Sequence, residues 1–300
     1  MSPTFPEFKP IELSDRPSIT GFLDRYRPRT SELTFTNLFI WRRYFLWEWS
    51  ILDGRLIIIA AATTGGGFAL PPIGDAPRVD VTRSLIDYLG SNRGMETPGI
   101  QRADRRLADE LANAGGFTVE ETREHFDYVY ATKDLIELAG RKYHAKRNYI
   151  NRFRMEYEFA YEPLADTHVA ACLALADEWC RARRCWDDLG LSGEHDAVKE
   201  ALAHRADLGL SGGVITIDGK VRAFTLAEAL NGDTAVIHVE KADPDVRGLY
   251  AMINQQFCQQ SLSGFAYVNR EQDLGDEGLR KAKESYFPER LEEKYRIVLK

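Results

Sequence analysis

The fold is decided by the stretch Val214-Ile-Thr-Ile-Asp-Gly-Lys-Val-Arg-Ala-Phe-Thr-Leu-Ala-Glu228. Two runs rich in β-branched residues flank Asp218-Gly219, a dipeptide that supports the positive φ angles of a type I′ turn. A second stretch of this kind, Trp47–Ala61 with Asp53-Gly54 at its centre, lies in the first half of the chain. Either hairpin alone would be common, but two at matching places predict a duplicated unit.

The segments around the second hairpin predict a regular order of elements. Helical patterns precede it, and the chain then reads strand (234–239), helix (246–262), strand (265–269), helix (276–285) and strand (294–299). This order is typical of the GCN5-related N-acetyltransferase (GNAT) fold, and the first half follows it more loosely. We therefore predict an α+β protein of two tandem GNAT-like domains, each a mixed sheet flanked by helices.

A chain of 300 residues is longer than a single hydrophobic core usually supports, which favours two domains. We expect a degenerate first domain over residues 1–134 and a second domain over 159–300. A basic helix over 135–158 would link them. The sequence does not predict the oligomeric state.

The composition is that of an ordinary globular protein, with 28% charged residues and a net charge of −7. No signal peptide is visible, and no apolar run approaches the 18 residues of a membrane-spanning helix. The four cysteines lack the paired spacings of a zinc site or a disulfide framework. These features predict a cytoplasmic protein with reduced, buried thiols and no metal.

A basic island stands out against this acidic background, in the segment Gly140-Arg-Lys-Tyr-His-Ala-Lys-Arg-Asn-Tyr-Ile-Asn-Arg-Phe-Arg154. Clustered positive charge with interleaved Tyr and Asn is typical of a surface that binds phosphates. On a helix, its apolar residues form one narrow stripe and most polar ones occupy another side. Lys146 falls inside the apolar stripe, where its charge needs a partner or must extend to solvent.

Two motifs carry a resemblance to a known family. They are the segments Leu138–Phe153 and Tyr267-Val-Asn-Arg-Glu-Gln-Asp-Leu-Gly275, the latter continued by Gly278–Pro288. Together they resemble the soluble proteins related to the C-terminal domain of phosphatidylglycerol lysyltransferase (DUF2156), over nearly the whole chain. The resemblance implies tandem acetyltransferase-like domains and transfer of an aminoacyl group from charged tRNA to a lipid. Characterised members carry a multi-helix membrane region that is not visible here, so the acceptor stays open between a small molecule, a peptide and a lipid headgroup.

The basic side chains are the candidates for substrate binding. They would hold the phosphates of a tRNA acceptor end or of a nucleotide-bearing donor. The alternative is a solvated interdomain helix, because charged runs usually face water. The candidates on the basic island are Lys142, Tyr143, His144, Arg147 and Asn148, and those near the end of the chain are Lys281, Lys283 and Tyr286.

The turn Asp245-Val-Arg-Gly-Leu-Tyr250 tests for coenzyme A as the donor. Acetyltransferases of this fold bind the pyrophosphate on backbone N–H groups through Arg/Gln-x-x-Gly-x-Gly/Ala. Here only Gly248 fits, because Asp245 adds a negative charge and Tyr250 replaces a small residue. No cofactor is firmly implied, and aminoacyl-tRNA is favoured over an acyl-CoA thioester as the donor.

Three residues are the catalytic candidates. Glu240 ends a predicted strand, where this fold often places a general base; the alternative is a structural ion pair with Lys241 or Arg247. Asn269 and Arg270 end the next strand and could donate hydrogen bonds to a developing oxyanion. The sequence therefore favours an aminoacyl transferase, with an acyl-CoA N-acyltransferase and a non-catalytic RNA- or nucleotide-binding module as the alternatives.

Overall fold

A computed structural model describes residues 2–61 and 66–300 of the chain. The strands are β1 Lys9–Pro10, β2 Trp47–Leu52, β3 Arg55–Ala60, β4 Phe68–Ala69, β5 Ile100–Asp104, β6 Phe117–Glu121, β7 Asp127–Ala131, β8 Phe159–Pro163, β9 Ser211–Ile217, β10 Lys220–Ala229, β11 Thr234–Ala242, β12 Tyr267–Asn269, β13 Arg290–Glu292 and β14 Lys294–Leu299. The α-helices are α1 Arg16–Tyr26, α2 Phe35–Ile40, α3 Arg42–Phe45, α4 Val79–Ser91, α5 Arg105–Ala114, α6 Thr132–Glu137, α7 His144–Glu156, α8 Asp166–Arg183, α9 Leu189–Ala203, α10 Arg205–Leu208, α11 Leu249–Ser261 and α12 Glu277–Glu284.

Two seven-stranded mixed sheets organise the chain. The first has the order β1-β2-β3-β4-β5-β14-β6, and the second has the order β13-β7-β12-β11-β10-β9-β8. Each contains one parallel pair, β4 with β5 and β11 with β12, and antiparallel pairs elsewhere in the pairings described. A helix connects the two strands of each parallel pair, α4 in the first case and α11 in the second. The duplication predicted from the two hairpins therefore extends to the topology of both sheets.

The two hairpins form as predicted. Asp53 and Gly54 have φ angles of 48° and 72°, and Asp218 and Gly219 have 51° and 71°. Positive φ at both central residues is the requirement of a type I′ turn, whose twist matches that of the flanking strands. The turns pair Leu52 with Arg55 in the first sheet and align β9 with β10 in the second.

The domain bounds differ from the predicted ones. One compact unit comprises residues up to Asp127 together with Gln272–Arg280 and Leu291–Lys300, and the other comprises Tyr128–Glu271 and Lys281–Arg290. The difference arises because β14 pairs with β5 and β6 of the first sheet, and β7 pairs with β12 of the second. Each sheet thus includes a strand from the opposite half of the sequence.

The predicted linking helix over 135–158 is also interrupted. The chain forms α6, then a 3₁₀ turn over Arg141–Tyr143, and then α7. Leu138 and Gly140 have φ angles of 48° and 82°, which an α-helix does not tolerate. The whole segment belongs to the second unit.

The side chains in the interior agree with the composition. In the first unit, isoleucines and leucines of β3, α4, α5 and β14 form a buried core, with Ile57, Leu85, Leu107 and Ile297 all fully buried. The four cysteines are free and buried. Among the described residues, no helix combines the length and the apolarity that crossing a bilayer requires.

Candidate active site

The parallel pairing of β11 with β12 places two of the catalytic candidates beside each other. Glu240 lies on β11, and Arg270 directly follows β12. The Nη2 atom of Arg270 donates to Oε1 of Glu240 at 2.9 Å, and both side chains are largely buried. Burial alone would lower the pKa of Arg270, but Glu240 and the neighbouring Tyr130, Tyr286 and Cys258 together outweigh it and raise that pKa. The guanidinium is therefore always charged and held in one orientation.

Asn254 of α11 completes this arrangement. Its Nδ2 atom donates to Oε2 of Glu240 at 3.0 Å, so that both oxygens of the carboxylate accept a hydrogen bond. Asn254 is 1% exposed. Nothing in the sequence had pointed to it, although a polar residue on the buried face of an apolar helix is a usable signal.

Two polar atoms of this cluster have no hydrogen-bond partner among the described residues, Oδ1 of Asn254 and Nη1 of Arg270. A buried polar atom without a partner costs about 1–3 kcal/mol. One atom is an acceptor and the other a donor. They could bind a ligand that carries a carbonyl or an anion next to a hydrogen-bond donor.

A tyrosine ring joins Arg270 to a lysine. The Arg270 guanidinium lies 4.9 Å from the centre of the Tyr286 ring, and Nζ of Lys146 lies 3.8 Å from the same centre. Burial raises the pKa of Tyr286 to about 12. Burial and, to a smaller extent, the charge of Arg270 lower the pKa of Lys146 to about 8, with Glu240 partly opposing both effects. We name the side chains Lys146, Glu240, Asn254, Arg270 and Tyr286 the Glu240–Arg270 cluster.

The other candidates near the end of the chain lie around this cluster in different roles. Asn269 is fully buried, and its Oδ1 atom accepts from the backbone N–H of Glu271 at 2.8 Å. Nζ of Lys283 donates to the backbone carbonyl of Arg270. Both contacts fix the backbone on either side of Arg270. Lys281 is exposed on α12.

The basic island divides into anchored and exposed side chains. Arg147 donates to the carbonyl oxygens of Leu138 and Gly140, the latter at 2.7 Å. Lys142 lies 3.2 Å from a carboxylate oxygen of Asp134. These two cations therefore stabilise the interruption between α6 and α7.

The remaining candidates of the island differ in burial. Tyr143 is buried, with its hydroxyl 2.9 Å from the Tyr286 carbonyl oxygen, and it supports the backbone of the cluster. His144 and Asn148 are exposed on the first turns of α7, with Nδ2 of Asn148 3.4 Å from Nδ1 of His144. Of the five candidates on the island, these two are the most accessible to a phosphate.

A second charged group was not assigned from sequence. Nδ1 of His238 lies 2.8 Å from Oε1 of Glu271, and its Nε2 lies 2.9 Å from Oε1 of Glu228. Burial would lower the pKa of His238, but the two carboxylates outweigh it and raise that pKa to about 9. The charged imidazole ties β10 and β11 to the residue that follows Arg270. In the sequence, His238 is only a polar residue that alternates with apolar ones along a strand, which does not predict its two carboxylate partners.

The turn at Gly248 bears on coenzyme A. Gly248 precedes α11 with a φ angle of 88°, and a Cβ atom there would lie 2.7 Å from the carbonyl oxygen of Tyr149 on α7. The glycine is thus required by the close packing of α7 against the start of α11. That face of the turn is covered by protein, Asp245 adds a negative charge to the turn, and Tyr250 stands where a small residue is needed. These residues do not fit a coenzyme A pyrophosphate.

Three similarities follow from comparison with known proteins. The family model described as phosphatidylglycerol lysyltransferase, C-terminal, matches residues 23–298. The chain is similar to the crystal structure of a conserved protein of unknown function from Bacteroides thetaiotaomicron VPI-5482, with 36% identity, a TM-score of 0.90, and coverage of 98% of this chain and 99% of that one. It is also similar to the C-terminal domain (DUF2156) of a putative lysylphosphatidylglycerol synthetase from Agrobacterium fabrum, with 14% identity, a TM-score of 0.65, and coverage of 95% and 91%.

A tandem GNAT protein from the clavulanic acid biosynthesis pathway is similar in fold, with 12% identity, a TM-score of 0.52, and coverage of 97% of each chain. No match was found among the curated proteins. The two sheets and these similarities confirm the predicted tandem GNAT-like α+β fold.

Proposed function

The chain belongs to the family of phosphatidylglycerol lysyltransferase C-terminal domains, an aminoacyl transferase family, and we propose that it transfers an aminoacyl group from aminoacyl-tRNA to an amine or hydroxyl acceptor. The observation that carries the proposal is the Arg270 guanidinium, which is fixed by Glu240 through Nη2 and leaves Nη1 without a partner among the described residues. A rigid, unused donor is what a developing oxyanion requires.

The roles of the three catalytic candidates follow from their contacts. Nη1 of Arg270 donates to the ester carbonyl oxygen as it gains charge. Glu240 holds the guanidinium, and with both carboxylate oxygens engaged it is a poorer proton acceptor than the sequence suggested. Asn269 shapes the turn that presents Arg270, because its side-chain oxygen is bonded to the backbone.

The exposed polar side chains would bind the donor. His144, Asn148 and Lys281 are accessible, and they can hold phosphates of the tRNA acceptor end. Lys142, Arg147 and Lys283 would support this surface through their backbone and carboxylate contacts. Because phosphate contacts release counterions, we expect tRNA binding to weaken steeply as salt is raised.

Transfer is tested with a mixed pool of radiolabelled aminoacyl-tRNAs and a panel of acceptors that includes amines, peptides and vesicles containing phosphatidylglycerol. We expect label to leave tRNA faster than in buffer, and Arg270→Gln to slow this transfer by about 100- to 1,000-fold, the effect of losing one oxyanion donor. Lys220→Gln, an exposed hairpin residue, serves as the matched control. Label that never leaves tRNA faster than in buffer contradicts the proposal.

The two alternatives give different outcomes in the same assay. A non-catalytic binding module would bind tRNA in a salt-sensitive way without releasing label. An acyl-CoA transferase would bind acetyl-CoA in a calorimeter, which the covered face of Gly248 disfavours.

A further inference from the structure

Lys146 occupies an unusual position for a lysine. It lies on the apolar side of α7, half-buried, with its Nζ atom above the Tyr286 ring. Within residues 2–61 and 66–300, that ring is the one polar or aromatic partner of Nζ, and no carboxylate lies within ion-pair distance of it. Other lysines of the second unit are anchored or exposed: Lys241 pairs with Glu194 at 2.8 Å, and Lys133 extends into solvent.

The charges around Lys146 do not balance if its amine is protonated. Arg270 contacts the same tyrosine ring, and the nearby carboxylate, Glu240, is already bonded to Arg270 and Asn254. Two cations would then share one ring and one carboxylate. The arrangement favours the neutral form of the more weakly partnered group, and an arginine cannot release its proton in a protein.

The phenols and the thiol of the region keep their protons near neutral pH. Burial raises the pKa of Tyr286 and of Cys258 on α11 to about 12 each, and it raises the pKa of Tyr130 on β7 as well. His238 is engaged by carboxylates at both ring nitrogens. Lys146 is therefore the group beside Arg270 that can gain and lose a proton.

We propose that Lys146 is the proton acceptor of the transfer reaction, acting as a neutral amine on the face of Tyr286. It takes the proton from the attacking amine or hydroxyl while the new bond to the acyl carbon forms and Arg270 stabilises the oxyanion. As the ester C–O bond breaks, Lys146 returns that proton to the leaving ribose oxygen, so that the lysine ends neutral. This inference rests on the proposed function and adds to it the residue that moves the proton.

Two substitutions separate a proton acceptor from a cationic anchor. Lys146→Arg keeps the charge and the contact with Tyr286 but cannot lose a proton, whereas Lys146→Met keeps the length without the amine. We expect both variants to lose at least about 100-fold of the transfer rate, as expected for general base catalysis. Lys133→Arg and Lys133→Met, at an exposed position of α6, should keep the wild-type rate. A Lys146→Arg variant with a rate near wild type would overturn the proposal.

The dependence on pH gives a second test of the same role. The wild-type rate should rise about tenfold per pH unit and level off above a pH of about 8. The variants at Lys146 should lose this dependence in their residual rate. A Lys146→Met profile that keeps the wild-type inflection assigns the proton transfer to another group and contradicts the proposal.

A titration that needs no activity distinguishes failure of this inference from failure of the proposed function. The protein is labelled with ¹³C,¹⁵N-lysine, and the ¹³Cε resonance absent from Lys146→Arg is followed by NMR as pH is raised. We expect a midpoint near 8, against about 10.5 for an ordinary lysine. A midpoint near 10.5 refutes the neutral amine, whether or not transfer is detected. A midpoint near 8 without transfer to any acceptor leaves the neutral amine standing and refutes both the transfer reaction and its proton acceptor.

Discussion

Lys294 in the first unit and Lys146 in the second are both withdrawn from water, but their surroundings differ. Nζ of Lys294 donates to Asp127 at 2.6 Å, to Glu32 at 2.7 Å and to Gln272 at 2.9 Å, which uses all three of its protons. Nζ of Lys146 has the Tyr286 ring as its one polar or aromatic partner among the described residues. The first lysine is fully paired and fully buried, and the second is half-buried with no counter-ion among the described residues.

The difference separates a structural charge from a reactive one. A buried ion pair with every donor used contributes to one defined structure, and it has no capacity left for a ligand. A cluster whose amine, guanidinium nitrogen and amide oxygen have no hydrogen-bond or ion-pair partner in the described part of the chain costs stability in the free protein. Such a cost persists where a bound substrate offsets it. The contrast therefore indicates that the ion pairs of Lys294 stabilise the fold, whereas the Glu240–Arg270 cluster is built to react with or bind a substrate.

The largest effect is expected for Lys294→Met. This change leaves the buried Asp127 without its cation and Glu32 with only Arg102, 3.7 Å away, and it should lower the free energy of unfolding by about 3–5 kcal/mol. Urea denaturation followed by circular dichroism measures the loss. Lys220→Met, on the exposed hairpin, should change the free energy of unfolding by less than about 0.5 kcal/mol. A loss below about 1 kcal/mol for Lys294→Met would show that the pairing does not stabilise the first unit.

The next effect is the pH dependence of the His238 contacts. The pKa of His238 is raised from 6.5 to about 9, so its stabilisation is complete below pH 6.5 and is lost as pH rises through 9. This shift corresponds to roughly 3 kcal/mol, since one pKa unit is about 1.4 kcal/mol. The difference in unfolding free energy between wild type and His238→Gln should therefore shrink between pH 6 and pH 10. An unchanged difference contradicts a charged imidazole.

A smaller effect is expected for Glu240→Gln, which keeps the shape of the side chain but removes its charge. Arg270 loses its charged partner, and the free energy of unfolding should fall by about 2 kcal/mol. The pKa of Lys146 should move further down, because Glu240 raises it in the wild type. Denaturation and the NMR titration of Lys146 measure the two results. If the titration midpoint of Lys146 rises in Glu240→Gln, the Glu240 carboxylate does not raise the pKa of Lys146, and the proposed interaction between the two groups is wrong.

The smallest effect concerns the aromatic ring itself. Tyr286→Leu removes the ring face that Lys146 and Arg270 share. We expect the lost cation–π contacts to lower the free energy of unfolding by about 1 kcal/mol. A double-mutant cycle with Lys146→Met isolates the part that belongs to Lys146. A coupling energy of zero would show that the ring and the lysine are only neighbours.

The sequence predicted the local parts of the fold well. The Asp-Gly turns specify positive φ angles without help from the rest of the chain, so both hairpins form as expected. The family and the tandem GNAT-like fold are confirmed. The assignment of β14 to the second domain was wrong, because strand pairing over long separations depends on packing that no local pattern encodes.

The candidate site was predicted in part. Glu240 was selected at the end of one predicted strand and Arg270 in the polar run at the end of the next; the structure places the two side chains in contact, and their catalytic roles stay a prediction. Lys146 carried a signal, as a charge within an apolar stripe, but only the position of Tyr286 shows what it contacts. The anchoring of Lys142 and Arg147 depends on the break at Leu138 and Gly140, which the helical periodicity concealed.

The place of β14 between β5 and β6 has a consequence for synthesis on the ribosome. The strands of the second sheet all lie between Asp127 and Glu292, whereas the first sheet needs Lys294–Leu299 to join β5 to β6. The half of the protein that is translated first is therefore completed last. Until then the nascent chain presents the unpaired edges of β5 and β6, which are the kind of surface that chaperones shield and that aggregation exploits.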